Sequence, residues 1–324
     1  MKIQECRSIG LWVRVHARKL MIVAGMLCLA TAASAVMVIP NLFPFLDPTG
    51  IVSTYNTAGP IVENTPFFQS LGTNGRSCAT CHIAGNGMGL STQNIQQRFV
   101  MTRGNDPLFA AFDGANCPNT SSNEPETHSL LLKNGLIRIP IQLPAGTQFT
   151  IRAVVDPYGC AIVTDPILGL QTVSVYRRPL PTTNLTFLST IMFDGRETIE
   201  PLNNTQTFKA NLIADLMHQA IDATTGHAQA TVPPTIDQQT AIVNFELGLF
   251  SAQVADGRVG SLTDYGALGG AKNLSGASYY PGINDTLGAD PTGAKFNPVG
   301  MTLDRKSTRL NCSHITPSRM PSSA

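Results

Sequence analysis

Charge is scarce in this 324-residue chain: 13% of its residues are Asp, Glu, Lys or Arg, against 43% hydrophobic. Disordered chains have the opposite balance, so an intrinsically disordered protein is excluded. Tryptophan is nearly absent, its one copy being Trp12. Between residues 36 and 303, 13 Lys and Arg stand against 19 Asp and Glu, a net charge of −6. With so few cations to track phosphates, a nucleic-acid partner is disfavoured. No internal repeat recurs, which argues against solenoids and propellers. There is enough chain for one large domain or two ordinary ones.

The two ends differ from the body. Arg14, Arg18 and Lys19 precede an apolar run from Leu20 to Ala33, followed by Ala33-Ser34-Ala35, an A-x-A cleavage pattern. Residues 1–35 therefore read as a signal peptide, which places the body in the periplasm. The uncharged stretch Leu20 to Ile39 is 20 residues long, so an uncleaved membrane anchor is the alternative. From Asp304 the chain turns abruptly Ser- and Arg-rich. The codons GAT CGG AAG AGC would encode Asp304 to Ser307, and 304–324 resembles a sequencing adapter read in frame. On that reading Cys312 and His314 carry no biology, and 304–324 is an artefact.

Setting aside Cys6, Cys28 and Cys312 leaves Cys78, Cys81, Cys117 and Cys160. Cys78-Ala79-Thr80-Cys81-His82 is a C-x-x-C-H motif, the attachment signature of a c-type haem. The spacing lets two thiols add to the two vinyl groups of one porphyrin, while the adjacent imidazole becomes the proximal iron ligand. A thioredoxin-like pair would need a strand before the motif and a helix after it, but Gly72, Gly75, Gly85, Gly87 and Gly89 flank it. A zinc site would need a second close ligand pair, and none follows. Haem c is therefore the expected cofactor, with Cys78, Cys81 and His82 as its residues. The glycines at 85, 87 and 89 read as chain wrapping the haem edge, not as a nucleotide loop. Cys117 and Cys160 pair as a disulfide in an oxidising compartment, or remain two buried thiols.

Along the chain, 36–65 is a Pro/Gly/Asn-rich opening segment. Pro125 and Gly135 bracket a short helix. The β-branched runs Ile137 to Ile141, Thr147 to Val155 and Gln171 to Tyr176 read as a β-rich insertion, about 136–176. Gln206 to Ile221 is an amphipathic helix, with Leu212, Ile213, Leu216 and Ala220 on one face. Thr235 and Gln238 form a capping box that opens a helix to about Val254. After Gly257 the composition is that of a linker. The reading is thus a mainly α haem domain over 66–255, cytochrome-c-like as a family resemblance implies, with the small β-rich insertion, long irregular loops and a linker over 256–303.

Four histidines lie in the body: His82, His128, His218 and His227. His218 stands opposite the apolar stripe, between Asp215 and Asp222, where a solvated ring is expected. His227 leaves the helix on a turn, free to enter a pocket. For the sixth iron ligand, His227, His128 and Met88 all stay open; a thioether would raise the potential.

Phe67-Phe68-Gln69 with the C-x-x-C-H motif, the run Arg178 to Leu185 (RPLPTTNL), Met192 to Arg196 (MFDGR) and Leu216 to Ala220 (LMHQA) resemble segments of bacterial di-haem cytochrome c peroxidases and the related methylamine-utilisation di-haem enzymes. The resemblance implies two haem domains and reduction of hydrogen peroxide by electrons from a small redox protein. It places Gln219 at the active-site glutamine, with His227 nearest the expected acid–base position. Phe193 stands where the family has tryptophan. A second C-x-x-C-H would follow residue 303. The alternative is a c-type cytochrome that only transfers electrons.

Overall fold

The computed structural model describes residues 36–277, apart from 119, 121–122, 154, 161–162, 165–170, 189 and 199–207. The expected signal peptide, the adapter-like tail and the linker beyond 277 lie outside the described residues. Within them, helix accounts for 34% and strand for 18%. The fold is mixed α/β, which corrects the mainly α expectation.

The difference starts in the opening segment. Its β-branched run forms β3 (Gly50–Asn56) and makes a hairpin with β2 (Phe45–Asp47). The short strands β1 (Val38–Ile39) and β4 (Ile61–Val62) pair beside it. β3 then pairs antiparallel with β8 (Leu249–Asp256), which in turn carries β9 (Gly260–Ser261). Thr54 Oγ1 and Ser251 Oγ, 197 residues apart, share a 2.7 Å hydrogen bond across that pair. A strand whose partner lies so far along the chain leaves no local signature beyond its own short run.

The expected insertion holds an antiparallel sheet ordered β5 (Ile137–Gln142), β7 (Gln171–Arg177) and β6 (Val163–Thr164). Cys117 and Cys160 are bonded to each other, with Cα atoms 5.4 Å apart, tying this region to the preceding loop.

Five α-helices are described: α1 (Thr92–Thr102), α2 (Ser129–Asn134), α3 (Phe208–Gly226), α4 (Ile236–Gly248) and α5 (Ala271–Ser275). The side chain of Thr235 caps α4 by accepting from the Gln238 amide, and Gln238 Oε1 accepts from the Thr235 amide. α4 stops at Gly248, not near Val254. There Thr57 donates its amide to the Gly248 carbonyl at 3.0 Å, and a Cβ on residue 248 would lie 2.9 Å from Asn56 Oδ1. The close approach of β3 thus leaves little room for a side chain at the junction, and Leu249 turns extended to begin β8.

The described residues from Val38 onward form one compact unit. The boundary expected at 65/66 is crossed by the β3–β8 pairing, and the one at 255/256 falls inside β8. The expected linker begins with folded chain, since β9 and α5 follow directly.

Three apolar clusters fill the interior. One joins Ile61, Phe67, Met88, Ala220, Ile242 and Leu249, with Cys78 packed against it. A second joins Leu90, Ile95, Phe99, Phe109 and Leu131, with Cys81 packed against it. The third packs α3 on α4 through Leu212, Leu216 and Val243. The C-x-x-C-H motif therefore bridges two cores. Phe67 is wholly buried, with ring centroids 4.8 Å from Phe245 and 5.2 Å from Phe68. Burying such a ring contributes roughly 1.5–3 kcal/mol.

Candidate functional site

The motif folds as a single 3₁₀ turn, Cys78–Thr80, entered from extended Ser77. The Ser77 amide donates to Thr80 Oγ1 at 3.0 Å, and the amides of Cys81 and His82 both return to the Cys78 carbonyl. The turn sets the two cysteines three residues apart, Cys78 against the first core cluster and Cys81 against the second. Arg98 of α1 locks the turn from outside, donating to the Thr80 carbonyl at 2.6 Å while Asp106 holds its guanidinium.

Cys78 and Cys81 are both free thiols. Burial pushes Cys78 up to about 12, with the Glu246 carboxylate adding to the rise. Burial likewise pushes Cys81 to about 11. A disulfide oxidoreductase depends on a depressed thiol pKa, so this environment opposes the thioredoxin-like alternative.

After His82 the chain curls back on itself. Ile83 bridges Gly89, and Gly87 and Met88 both take left-handed conformations. That loop brings the Met88 carbonyl to 3.1 Å from His82 Nδ1. Burial drives the His82 pKa down to about 4, with the nearby His227 acting in the same direction; the carbonyls of Met88 and Leu180 oppose it. The ring is therefore neutral near pH 7. A carbonyl only accepts, so the Met88 contact assigns the proton to Nδ1 and the lone pair to Nε2.

Facing the motif is the turn that ends α3. Thr73 donates its amide to the Ala228 carbonyl at 3.0 Å, and Asn74 Nδ2 donates to the His227 carbonyl at 2.8 Å. Arg76 is buried and donates to the carbonyls of Pro107 (2.7 Å) and Leu108 (3.0 Å) and to the Asp113 carboxylate. The other oxygen of Asp113 lies 2.7 Å from His227 Nδ1. A small cleft lined by Gln69, Arg76, Cys78, Thr224 and Ala228 separates the motif from this turn.

The remaining expected residues divide sharply. Met88 is wholly buried in the first core cluster, and its carbonyl faces the Nδ1 side of His82, away from Nε2. Its backbone is thus engaged with His82, and its thioether packs among apolar side chains. His128 is also core: its Nε2 lies 2.9 Å from the Phe109 carbonyl and its Nδ1 3.0 Å from Thr127 Oγ1, between the rings of Phe99 and Phe109. Neither nitrogen is left for a metal. Gln219 is half-buried on α3, two turns before His227, and among the described residues its side chain has no hydrogen bond to His82, Cys78 or His227. Of the two histidine candidates for the sixth position, only His227 keeps a ring nitrogen with no hydrogen bond among the described residues.

Three residues at the site escaped sequence reasoning. Arg76 and Asp113 are charged and buried, and their meeting across 37 positions has no local signal. Glu246, on α4, is 4% exposed; its Oε2 has no hydrogen-bond partner among the described residues, and burial raises its pKa to about 8. A separate group, Glu197, His218 and Asp222, brings its ligand atoms within 4.8 Å of one another. There His218 Nδ1 lies 3.0 Å from Glu197, and the Arg196 guanidinium, at 3.6 Å, already supplies that carboxylate with a cation.

The donor set fits a covalently held haem: two protonated thiols on one turn, and a neutral imidazole with Nδ1 anchored and its lone pair on Nε2. No protein-family model, curated protein or solved structure matches the chain. No helix among the described residues is long and apolar enough to cross a membrane.

Proposed function

We propose that this chain is an exported c-type haem protein of the peroxide-reducing, di-haem type, working in the periplasm. Cys78 and Cys81 attach the haem and His82 Nε2 is the proximal ligand. The carrying observation is the 3.1 Å contact between His82 Nδ1 and the Met88 carbonyl, which supports a proton on Nδ1 and a lone pair on Nε2 that a metal could take. A haem so held supplies a one-electron iron couple and an electrophilic site for peroxide.

This chain's residues do the rest. His227, oriented by Asp113, holds a lone pair on Nε2 that accepts a proton from hydrogen peroxide and returns it to the departing oxygen. Reduction of one peroxide to two waters takes two electrons, from a small redox protein, and two protons. Gln219 has no assigned part in this step.

One observation favours a second reading, a carrier that only transfers electrons. A histidine held by a carboxylate is also the arrangement of a metal ligand, and His227 would then close the site opposite His82.

The test is co-expression of the exported chain with a cytochrome c maturation system. Haem that survives denaturing electrophoresis is expected, and its absence overturns the proposal. In the loaded ferric protein, a high-spin spectrum that shifts with cyanide supports the enzyme. A low-spin spectrum indifferent to cyanide supports the carrier.

A further inference from the structure

The geometry points to Asp113 as a positioning residue that fixes the tautomer of His227 and leaves the lone pair on its Nε2, free to act at a haem. The inference rests on the haem reading and holds whether His227 serves as proton acceptor or as iron ligand.

Asp113 sits 114 residues before His227 in sequence, in the loop after the 3₁₀ turn Pro107–Phe109, and its side chain is completely buried. A buried carboxylate is costly unless it is paired and hydrogen-bonded. Both needs are met here by one cation and one imidazole. Arg76 spends its other donors on the carbonyls of Pro107 and Leu108, and it also reaches the His227 carbonyl at 3.3 Å. The guanidinium thus fixes the carboxylate and the histidine backbone at once, and it lies two residues before Cys78. Any shift of the attachment turn is carried to His227 through Arg76.

The tautomer follows from charge. A carboxylate accepts and does not donate, so at 2.7 Å the proton between the two groups resides on His227 Nδ1. The lone pair is then confined to Nε2. Free neutral imidazole carries no such restriction; the more exposed His218 takes its own partner from the buried Glu197 carboxylate. The His227 ring is half-exposed, with 38% of its side-chain surface accessible, while its anchor is not accessible at all. A ring fixed at one nitrogen and open at the other is a presented donor atom. His227 is also near enough to His82 to lower its proton affinity.

A purely structural role for Asp113, as the counter-ion of Arg76, makes a different prediction. It would affect stability alone and leave the haem face unchanged.

The experiment uses imidazole itself as the probe. In the haem-loaded His227→Gly variant, imidazole fills the vacated volume, and its affinity is read from the Soret band. We expect the Asp113→Asn change in that background to weaken imidazole binding by about 10–100-fold, the usual cost of losing an outer-shell carboxylate. Equal affinities in the presence of haem overturn the role of Asp113 and leave the haem reading standing. Absence of covalent haem in the parent chain overturns both, so the two failures are distinct. The Asn oxygen still accepts from Arg76, which favours folding. A second measurement needs no substitution at position 113: ¹⁵N shifts of His227 in the full chain before haem attachment should report a protonated Nδ1. A ring protonated at Nε2 there overturns the assignment whatever the variants do.

Discussion

The Nδ1 atom of His82 faces the carbonyl oxygen of Met88 at 3.1 Å, so the residue that looks like a thioether ligand in the sequence serves through its backbone. Its side chain points into the core beside Phe67 and Ile242. The two uses are separable, because a substitution at Met88 deletes the side chain and keeps the carbonyl.

Met88→Ala should therefore cost stability without touching ligation. Loss of a fully buried methionine costs about 2–5 kcal/mol, depending on how far the cavity collapses. Chemical denaturation measures that loss. The absorbance spectrum of the loaded protein should match the parent, and a changed axial ligation would reinstate the thioether.

Gly72 lies where the chain before the motif crosses the turn after α3. A Cβ there would collide with the Ala228 carbonyl, a backbone atom that cannot rotate aside. Gly72→Ala must then part the two segments, weakening the Thr73–Ala228 and Asn74–His227 hydrogen bonds. We expect destabilisation of about 1–3 kcal/mol, typical of overpacking, together with altered cyanide affinity in the loaded protein. Gly59→Ala is a useful contrast: nothing lies within 4 Å of a Cβ there, so its cost is only the strain of a positive φ. If cyanide affinity follows the stability loss equally in both variants, the Gly72 crossing does not control the site.

What the sequence made legible was local. The C-x-x-C-H turn, the Thr235–Gln238 capping box, and the Pro125 and Gly135 bracket all declare themselves within a few residues, because each is closed by short-range hydrogen bonds. The misread elements depend on partners far away. Phe245 and Leu249 fall at helical spacing, so the pattern runs on past the true end of α4; only the approach of Asn56 and Thr57 stops it at Gly248. Proline- and glycine-rich composition around β3 resembles loop until β8 supplies its ladder, and the mixed fold was hidden with it. The site divides the same way. Its haem-attaching residues are contiguous, whereas Arg76, Asp113 and His227 meet only in three dimensions.

The Cys117–Cys160 bond spans 43 positions and ties the loop after Asp113 to the insertion. Chain-entropy arguments give roughly 4 kcal/mol for a loop of that length, with measured values more often about 2–4. Replacing both cysteines by serine should lower stability by that amount. Haem attachment should survive, because the Cys78–Cys81 turn is held by Thr80 and Arg98, independently of the disulfide. Thermal unfolding with and without reductant checks the first expectation, and covalent haem content checks the second. Loss of haem in the double variant would mean that the attachment turn depends on the disulfide.

Glu246 yields a prediction in which pH reverses the usual behaviour of a carboxylate. Burial raises its pKa to about 8 in the folded chain from an ordinary value of 4.5. The folded state therefore keeps a proton that the unfolded state gives up. Stability from this group is fully present below pH 4.5 and is lost as pH rises towards 8. Glu246→Gln replaces the acid by a neutral amide of similar volume, so the variant should match the parent at pH 4. By pH 8 it should be the more stable by on the order of 3–5 kcal/mol. His82 works in the opposite sense: its pKa of about 4, against 6.5 when unfolded, removes stability as pH falls from 6.5 to 4. That contribution is common to parent and variant and cancels in their difference. Urea denaturation of the chain before haem attachment, at pH 4, 6 and 8, isolates the carboxyl. A difference that stays constant across that range would show that Glu246 is already ionised in the fold. Its unpartnered oxygen would then need a compensating charge that the packing around Cys78 does not supply.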